Sequence, residues 1–199
     1  MGRLTSLCLF CGSNVGDNPA FAEAADDLGT TMARQGVQLV YGGGHVGIMG
    51  VTAEAVMREG GRVVGFIPEH LTHLEAAFQG ATELHVVDNM HVRKFAMFDR
   101  SDAFVVFPGG FGTMDETFEI LTWRQLGIHN KPVIIANIEG YWDPFLDLVD
   151  SMIDRRFAKP ANRDLFTVVN DWTRILPTIE RELSHAGVGT VAVDAAERL

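Results

Sequence analysis

The chain has 199 residues, 47% hydrophobic and 21% charged, with a formal net charge of −10. That length and apolar content support one sizeable α/β core and exclude global disorder. The acidic balance argues against a general nucleic-acid binder, so positive charge for an anionic ligand has to be gathered locally.

Residues 4–10 form an apolar run suited to a buried strand, and Cys11-Gly12-Ser13-Asn14 turns the chain. Pro19 suits the start of a helix over residues 20–35, with Phe21, Ala24, Ala25, Leu28 and Met32 on one side and Gly36 as its stop. A strand over 37–41 runs straight into Gly42-Gly43-Gly44, and a helix over 48–59 follows. Residues 62–67 read as a strand, residues 69–82 as a loop-rich excursion, and 83–87 as a strand again. A helix over 90–100 and a strand over 103–107 lead to Pro108-Gly109-Gly110-Phe111-Gly112-Thr113, from which a helix over 113–126 departs. The strand 132–136, the helix 141–156, the strand 165–169 and the helix 172–183 complete the pattern; residues 184–199 show no clear period and are expected to pack weakly. Alternation of near-continuous apolar strands with helices predicts a single-domain, Rossmann-like α/β fold over residues 1–183, a parallel sheet covered on both faces.

Ligands of such sheets bind beyond the carboxyl ends of the strands. Three loops lie there: 11–14, 42–47 and 108–113. Two of them are glycine-rich strand-to-helix junctions, which offer unpaired backbone N–H groups and the positive end of a helix dipole to a phosphate. No Gly-Lys-Ser/Thr follows either, and neither is a Gly-x-Gly-x-x-Gly at the first strand, which disfavours a nicotinamide cofactor. Thr113-x-x-Glu116 also fits a capping box, in which Glu116 folds back onto the helix start. Asp115 reads as a helix-dipole or ribose-hydroxyl partner. Arg93 and Lys94 break a local rule, because cations are unfavourable in the first turns of a helix. They can supply the positive charge that an anionic ligand needs, or pair at the surface with Asp88 or Asp99.

Cys8 and Cys11 have a C-x-x-C spacing, but it closes a strand instead of opening a helix, which favours structural cysteines. His70-x-x-His73 lacks a third ligand at fixed spacing, so no metal is expected. Trp123, Trp142, Met49 and Met57 read as core or interface residues. The chain shows neither an apolar leader nor a run long enough to span a membrane, and a cytoplasmic protein is expected.

Tyr41-Gly42-Gly43-Gly44, Met90-His91-Val92-Arg93-Lys94, residues 108–116 and Thr122-Trp123-Arg124-Gln125-Leu126-Gly127 together resemble the LONELY GUY (LOG) family. So does Cys11-Gly12-Ser13. These are cytokinin riboside 5′-monophosphate phosphoribohydrolases, often mislabelled lysine decarboxylases. The resemblance implies a Rossmann-like homodimer without metal or organic cofactor, acting on a small nucleotide and not on nucleic acid or membrane. It implies Arg93 and Glu116 as the catalytic pair and Gly109, Gly110, Phe111, Gly112 and Thr113 as the phosphate loop, with Lys94, Met114 and Asp115 beside it. Asp115 stands where many members have Glu. Glu75 matches a ligand-contacting glutamate by spacing, and Ser13, Gly43, Gly44 and Thr122 are secondary candidates. The alternative on the same fold is a non-catalytic nucleotide or pterin-type carrier. A pyridoxal-phosphate decarboxylase would need a Schiff-base lysine, for which only Lys94, Lys131 and Lys159 exist.

Overall fold

The computed structural model describes residues 3–72 and 76–186. The strands β1 (Ser6–Phe10), β2 (Gln38–Tyr41), β3 (Val63–Pro68), β4 (Glu83–Val87), β5 (Ala103–Val106), β6 (Val133–Ala136) and β7 (Thr167–Val169) form one sheet in the order β4-β3-β2-β1-β5-β6-β7. Every neighbouring pair is parallel. The chain starts in the middle, builds outward to β4, then crosses back to lay β5 on the other side of β1. The carboxyl ends of β1 and β5 are therefore the topological switch point, where loops diverge and leave a crevice.

The two-residue period of the strands sorts their side chains into two cores. Leu7 and Leu9 face a layer made by α1 (Pro19–Gln35), α2 (Gly47–Arg58) and α6 (Ile175–Ala186). Cys8 and Phe10 face the opposite layer, made by α3 (Met90–Asp99), α4 (Phe111–Gln125) and α5 (Asp143–Asp154). Coverage on both faces is the reason the strands read as apolar runs. The edge strand β4 is the exception, with His85 and Val86 exposed.

Local chemistry sets the helix starts. The Asn18 side chain accepts from the Ala20 N–H at 3.0 Å, Pro19 opens α1, and Gly36 ends it with φ 72°. A short 3-10 turn over Trp172–Arg174 precedes α6, where the sequence predicts one continuous helix. The last helix then runs through Ala186, past the expected boundary at 183, and the remainder of the tail lies outside the described residues. The excursion after β3 holds a 3-10 turn, Glu69–Leu71, and an antiparallel bridge between Gly44 and Ala77.

Asp102 ties β1 to β5 at the end opposite the crevice. Its carboxylate accepts from the Thr5 N–H at 2.8 Å, the Thr5 hydroxyl at 2.7 Å and the Ser6 N–H at 2.9 Å. Burial pushes its pKa up, but the hydrogen bonds from Thr5 and Ser6 outweigh this and hold it below the ordinary aspartate value. A depressed folded-state pKa stabilises above the unfolded value, and the contribution is lost as pH falls through the folded value. Asp102→Ala should therefore cost about 2 kcal/mol at pH 7. Urea titrations of both proteins should show that gap closing as pH falls below about 4.

Candidate active site

A cleft of about 230 Å³ opens over the carboxyl ends of β1, β2 and β5. The loop after β1 contributes Cys11, Gly12 and Ser13, the loop after β2 contributes Gly42, and the loop after β5 contributes residues 110–113. Arg93 of α3 and Glu116 of α4 complete it. The loops touch one another directly. The Gly12 N–H donates to the Pro108 carbonyl at 3.0 Å, and the Gly12 carbonyl accepts from Ile48 at 3.2 Å. Gly109 is required by this crowding: a Cβ there would lie 2.1 Å from Thr113 Oγ1 and 2.8 Å from the Gly12 nitrogen.

The helix α4 begins at Phe111, two residues before the start expected at Thr113. Gly110 is its N-cap and makes no side-chain hydrogen bond. The first intrahelical bond runs from the Met114 N–H to the Gly110 carbonyl at 3.0 Å. The amides of Phe111, Gly112 and Thr113 precede that bond, at the positive end of the helix dipole, and all three residues line the cleft. Thr113 is thus a buried third helical residue and not a cap. With Thr113 inside the helix, the capping box that the sequence also allows is not what starts α4. Glu116 lies a turn further into the helix, only 8% exposed, and faces the cleft.

On α3, whose cap is the Asn89 side chain accepting from Val92 at 3.0 Å, the two cations part company. Arg93 is buried and turned over the strand ends. Its Nε donates to the Phe66 carbonyl at 3.1 Å and its Nη2 to the Gly42 carbonyl at 2.9 Å, while Nη1 lies 3.7 Å from Met90 Sδ. The carbonyl dipoles of Gly42, just after β2, and Phe66, within β3, help to make a cation tolerable in the first turns of this helix. Gly42 is obligatory for that arrangement, since a Cβ there would sit 1.9 Å from Arg93 Nη2. Lys94 points elsewhere: its Nζ bonds Asp115 Oδ2 at 2.9 Å and Glu119 Oε2 at 3.2 Å, stapling α3 to α4. Burial opposes its charge, but the bonds to Asp115 and Glu119 prevail and hold its pKa above the ordinary lysine value.

Below the cleft lies the fully buried Cys8 thiol. Burial first, and then the Glu116 carboxylate, push it well above its usual pKa, so it stays protonated and is no nucleophile.

Residues 49–179 match the protein family described as "possible lysine decarboxylase". The probable cytokinin riboside 5′-monophosphate phosphoribohydrolase LOGL1 of Oryza sativa subsp. japonica is 41% identical over 94% of this chain and 91% of its own. The cytokinin riboside 5′-monophosphate phosphoribohydrolase of Rhodococcoides fascians is 44% identical over 83% of this chain and 84% of its own. The chain belongs to the LOG family. Its fold is also that of the molybdenum cofactor binding protein from Rippkaea orientalis, with a TM-score of 0.68 at 19% identity over 91% of this chain and 98% of that one.

The LOG candidates divide in the structure. Arg93, Glu116, Gly110, Phe111, Gly112, Thr113 and Ser13 come together around the cleft. Lys94 and Asp115 do not line it, because they neutralise each other outside it. Gly109 lines the far side of the loop, and Met114 is half-buried against the α3–α5 core. Thr122 is exposed on α4, about three turns beyond the glycine loop. Gly43 and Gly44 are displaced as candidates by Gly42: Gly43 packs against Ile67 and Leu84, and Gly44 pairs with Ala77. Glu75 and His73 lie outside the described residues. Sequence reasoning placed Gly42 in a candidate ligand loop but gave it no role of its own, and it missed the apolar wall of Leu9, Met49, Leu71 and Met90. Met49 serves both as the core residue it was expected to be and as part of that wall. The signal for Gly42 was its place as the first residue after a strand, but nothing local says that an arginine from another helix will lie on it.

Despite the family's description, no lysine lines the cleft. Lys131, whose pKa burial lowers, donates to the Phe98 carbonyl at 2.7 Å and sits 4.1 Å over the Phe98 ring. Among the described residues no three His, Cys, Asp or Glu side chains group as a metal site, and no helix is long and apolar enough to cross a membrane.

Proposed function

We propose that this chain is a nucleoside 5′-monophosphate phosphoribohydrolase that hydrolyses the N-glycosidic bond of AMP-type nucleotides, N6-modified ones included. The observation that carries the reading is the convergence of a buried arginine, a buried glutamate and an open helix N-terminus on one cleft at the switch point. The 5′-phosphate sits on the amides of residues 111–113, which bind an anion without any nearby lysine. The base lies against Leu9, Met49, Leu71 and Met90, an apolar wall suited to a purine face. The anomeric carbon then faces Glu116. As the C1′–N bond breaks, positive charge develops on the ribose, and a carboxylate stabilises it and orients the attacking water. The water oxygen joins C1′, its proton leaves to the base, and free base and ribose 5-phosphate are released. Arg93, fixed by the Gly42 and Phe66 carbonyls, lines the same cleft as Glu116 and holds the substrate in register. Glu75 joins as a ligand contact.

Relatives 41% and 44% identical that are named phosphoribohydrolases support hydrolysis over the carrier alternative. The protein works as a cytoplasmic homodimer with neither metal nor organic cofactor, and it binds no nucleic acid. Chromatographic detection of free base from AMP, N6-isopentenyl-AMP and the matching nucleosides tests the reading. Base should appear from the monophosphates and not from the nucleosides. Saturable AMP binding without any released adenine would instead establish a carrier.

A further inference from the structure

The segment after β6 is built with more care than a connection needs. Asn137, buried at its start, accepts from the Trp142 N–H at 2.7 Å and donates to Asp143 Oδ1 at 2.8 Å and Asn170 Oδ1 at 3.1 Å. Two consecutive residues are left-handed, Glu139 with φ 53° and Gly140 with φ 72°. A non-glycine residue in that region is costly and is kept where the surroundings demand it. The next residue is Tyr141. Its ring is wedged edge-on between Phe21, at 5.5 Å between centroids, and Trp142, at 4.8 Å. Its hydroxyl donates to the Gly109 carbonyl at 2.7 Å. The fold thus spends a satisfied asparagine, a strained glutamate and two aromatic contacts on bringing one phenol to one carbonyl of the glycine loop.

We infer that Tyr141 is a positioning residue for the phosphate, acting through the Gly109–Gly110 peptide; this rests on the proposed binding of a phosphate at the start of α4. The described peptide bonds are all trans, so a carbonyl and the N–H across its peptide point in opposite directions. Gly109 lines the clefts on the Tyr141 side and not the catalytic one, whereas Gly110 lines the clefts on both sides. Pinning the Gly109 oxygen on the far side therefore turns the Gly110 N–H toward the phosphate. Gly109 and Gly110 lack side chains to resist a peptide flip, which is why an external donor is needed. The preceding carbonyl, that of Pro108, is held in the same way by the Gly12 N–H. Tyr141 itself touches no substrate.

The test compares Tyr141→Phe, which keeps the ring, with Tyr141→Leu, which does not. Calorimetric titrations with inorganic phosphate and ribose 5-phosphate should show Tyr141→Phe binding both roughly three- to tenfold more weakly than wild type, with adenosine binding unchanged. The melting temperature of Tyr141→Phe should stay near that of wild type. If Tyr141→Phe binds phosphate like wild type and only Tyr141→Leu is impaired, the ring is merely structural and the inference is overturned. An equal loss of adenosine binding in Tyr141→Phe would overturn it as well. Base release from AMP by the wild type is scored separately: phosphate binding that depends on the hydroxyl, without base release, would sink the hydrolase reading and leave the role of Tyr141 standing.

Discussion

Glu116→Gln is expected to lower base release from AMP at least a hundredfold, about the lower bound for losing a positioned acid–base carboxylate, while AMP affinity stays within about threefold of wild type, as its proposed action on the transition state requires. Glu116 is buried in the cleft wall, so the amide fills the same space. It lies five residues beyond Phe111 and three beyond Thr113, roughly 4.5–7.5 Å along the helix axis from the amides proposed to hold the phosphate. A ribose fits in that interval. The amide keeps a hydrogen-bonding oxygen but loses the charge that the proposed mechanism sets against the developing cation. Single-turnover base release measured beside equilibrium AMP binding separates the two effects. Turnover at the wild-type rate would remove Glu116 from the mechanism.

Gly42→Ala is expected to cut kcat/KM by tenfold or more, about the effect of losing one well-placed charged contact, and to lower the melting temperature as well, because Arg93 is a buried cation that would lose two carbonyl partners. The added methyl would stand 1.9 Å from Arg93 Nη2 and 2.9 Å from Cζ. The atom that must give way is the end of a side chain, so the backbone is spared while the guanidinium is driven off its two carbonyls. Gly43→Ala is the contrasting change. Gly43 has φ 79°, and a Cβ there would press on Ile67 Cβ and Leu84 Cδ1, each at 3.1 Å. It should lose about 1–2 kcal/mol of stability through strain and crowding. Measuring kcat/KM and thermal unfolding for both variants distinguishes a residue that shapes the site from one that shapes the sheet. Unchanged kcat/KM in Gly42→Ala would mean that the anchored position of Arg93 is not the working one.

The sequence by itself determined the layered α/β architecture, because apolar runs and helical spacing are local patterns that survive without a partner. It also determined that residues 104–116 form a strand, a glycine turn and a helix start, and it pointed to Glu116 through its family resemblance. Element ends shifted by a few residues, as at α4, where Gly110 and not Thr113 took the cap. Only the tertiary structure decided which side chains meet. Arg93 and Lys94 are neighbours in sequence and so project about 100° apart on a helix; one faces the cleft and the other staples α3 to α4. The register of α3 against the sheet made that choice, and nothing within α3 encodes it. The same holds for Gly42, whose need to be glycine comes from an arginine 51 residues away, and for Tyr141, which reaches Gly109 across 32. Such contacts are set by the strand order that brings β1, β2 and β5 side by side, and strand order is a property of the whole chain.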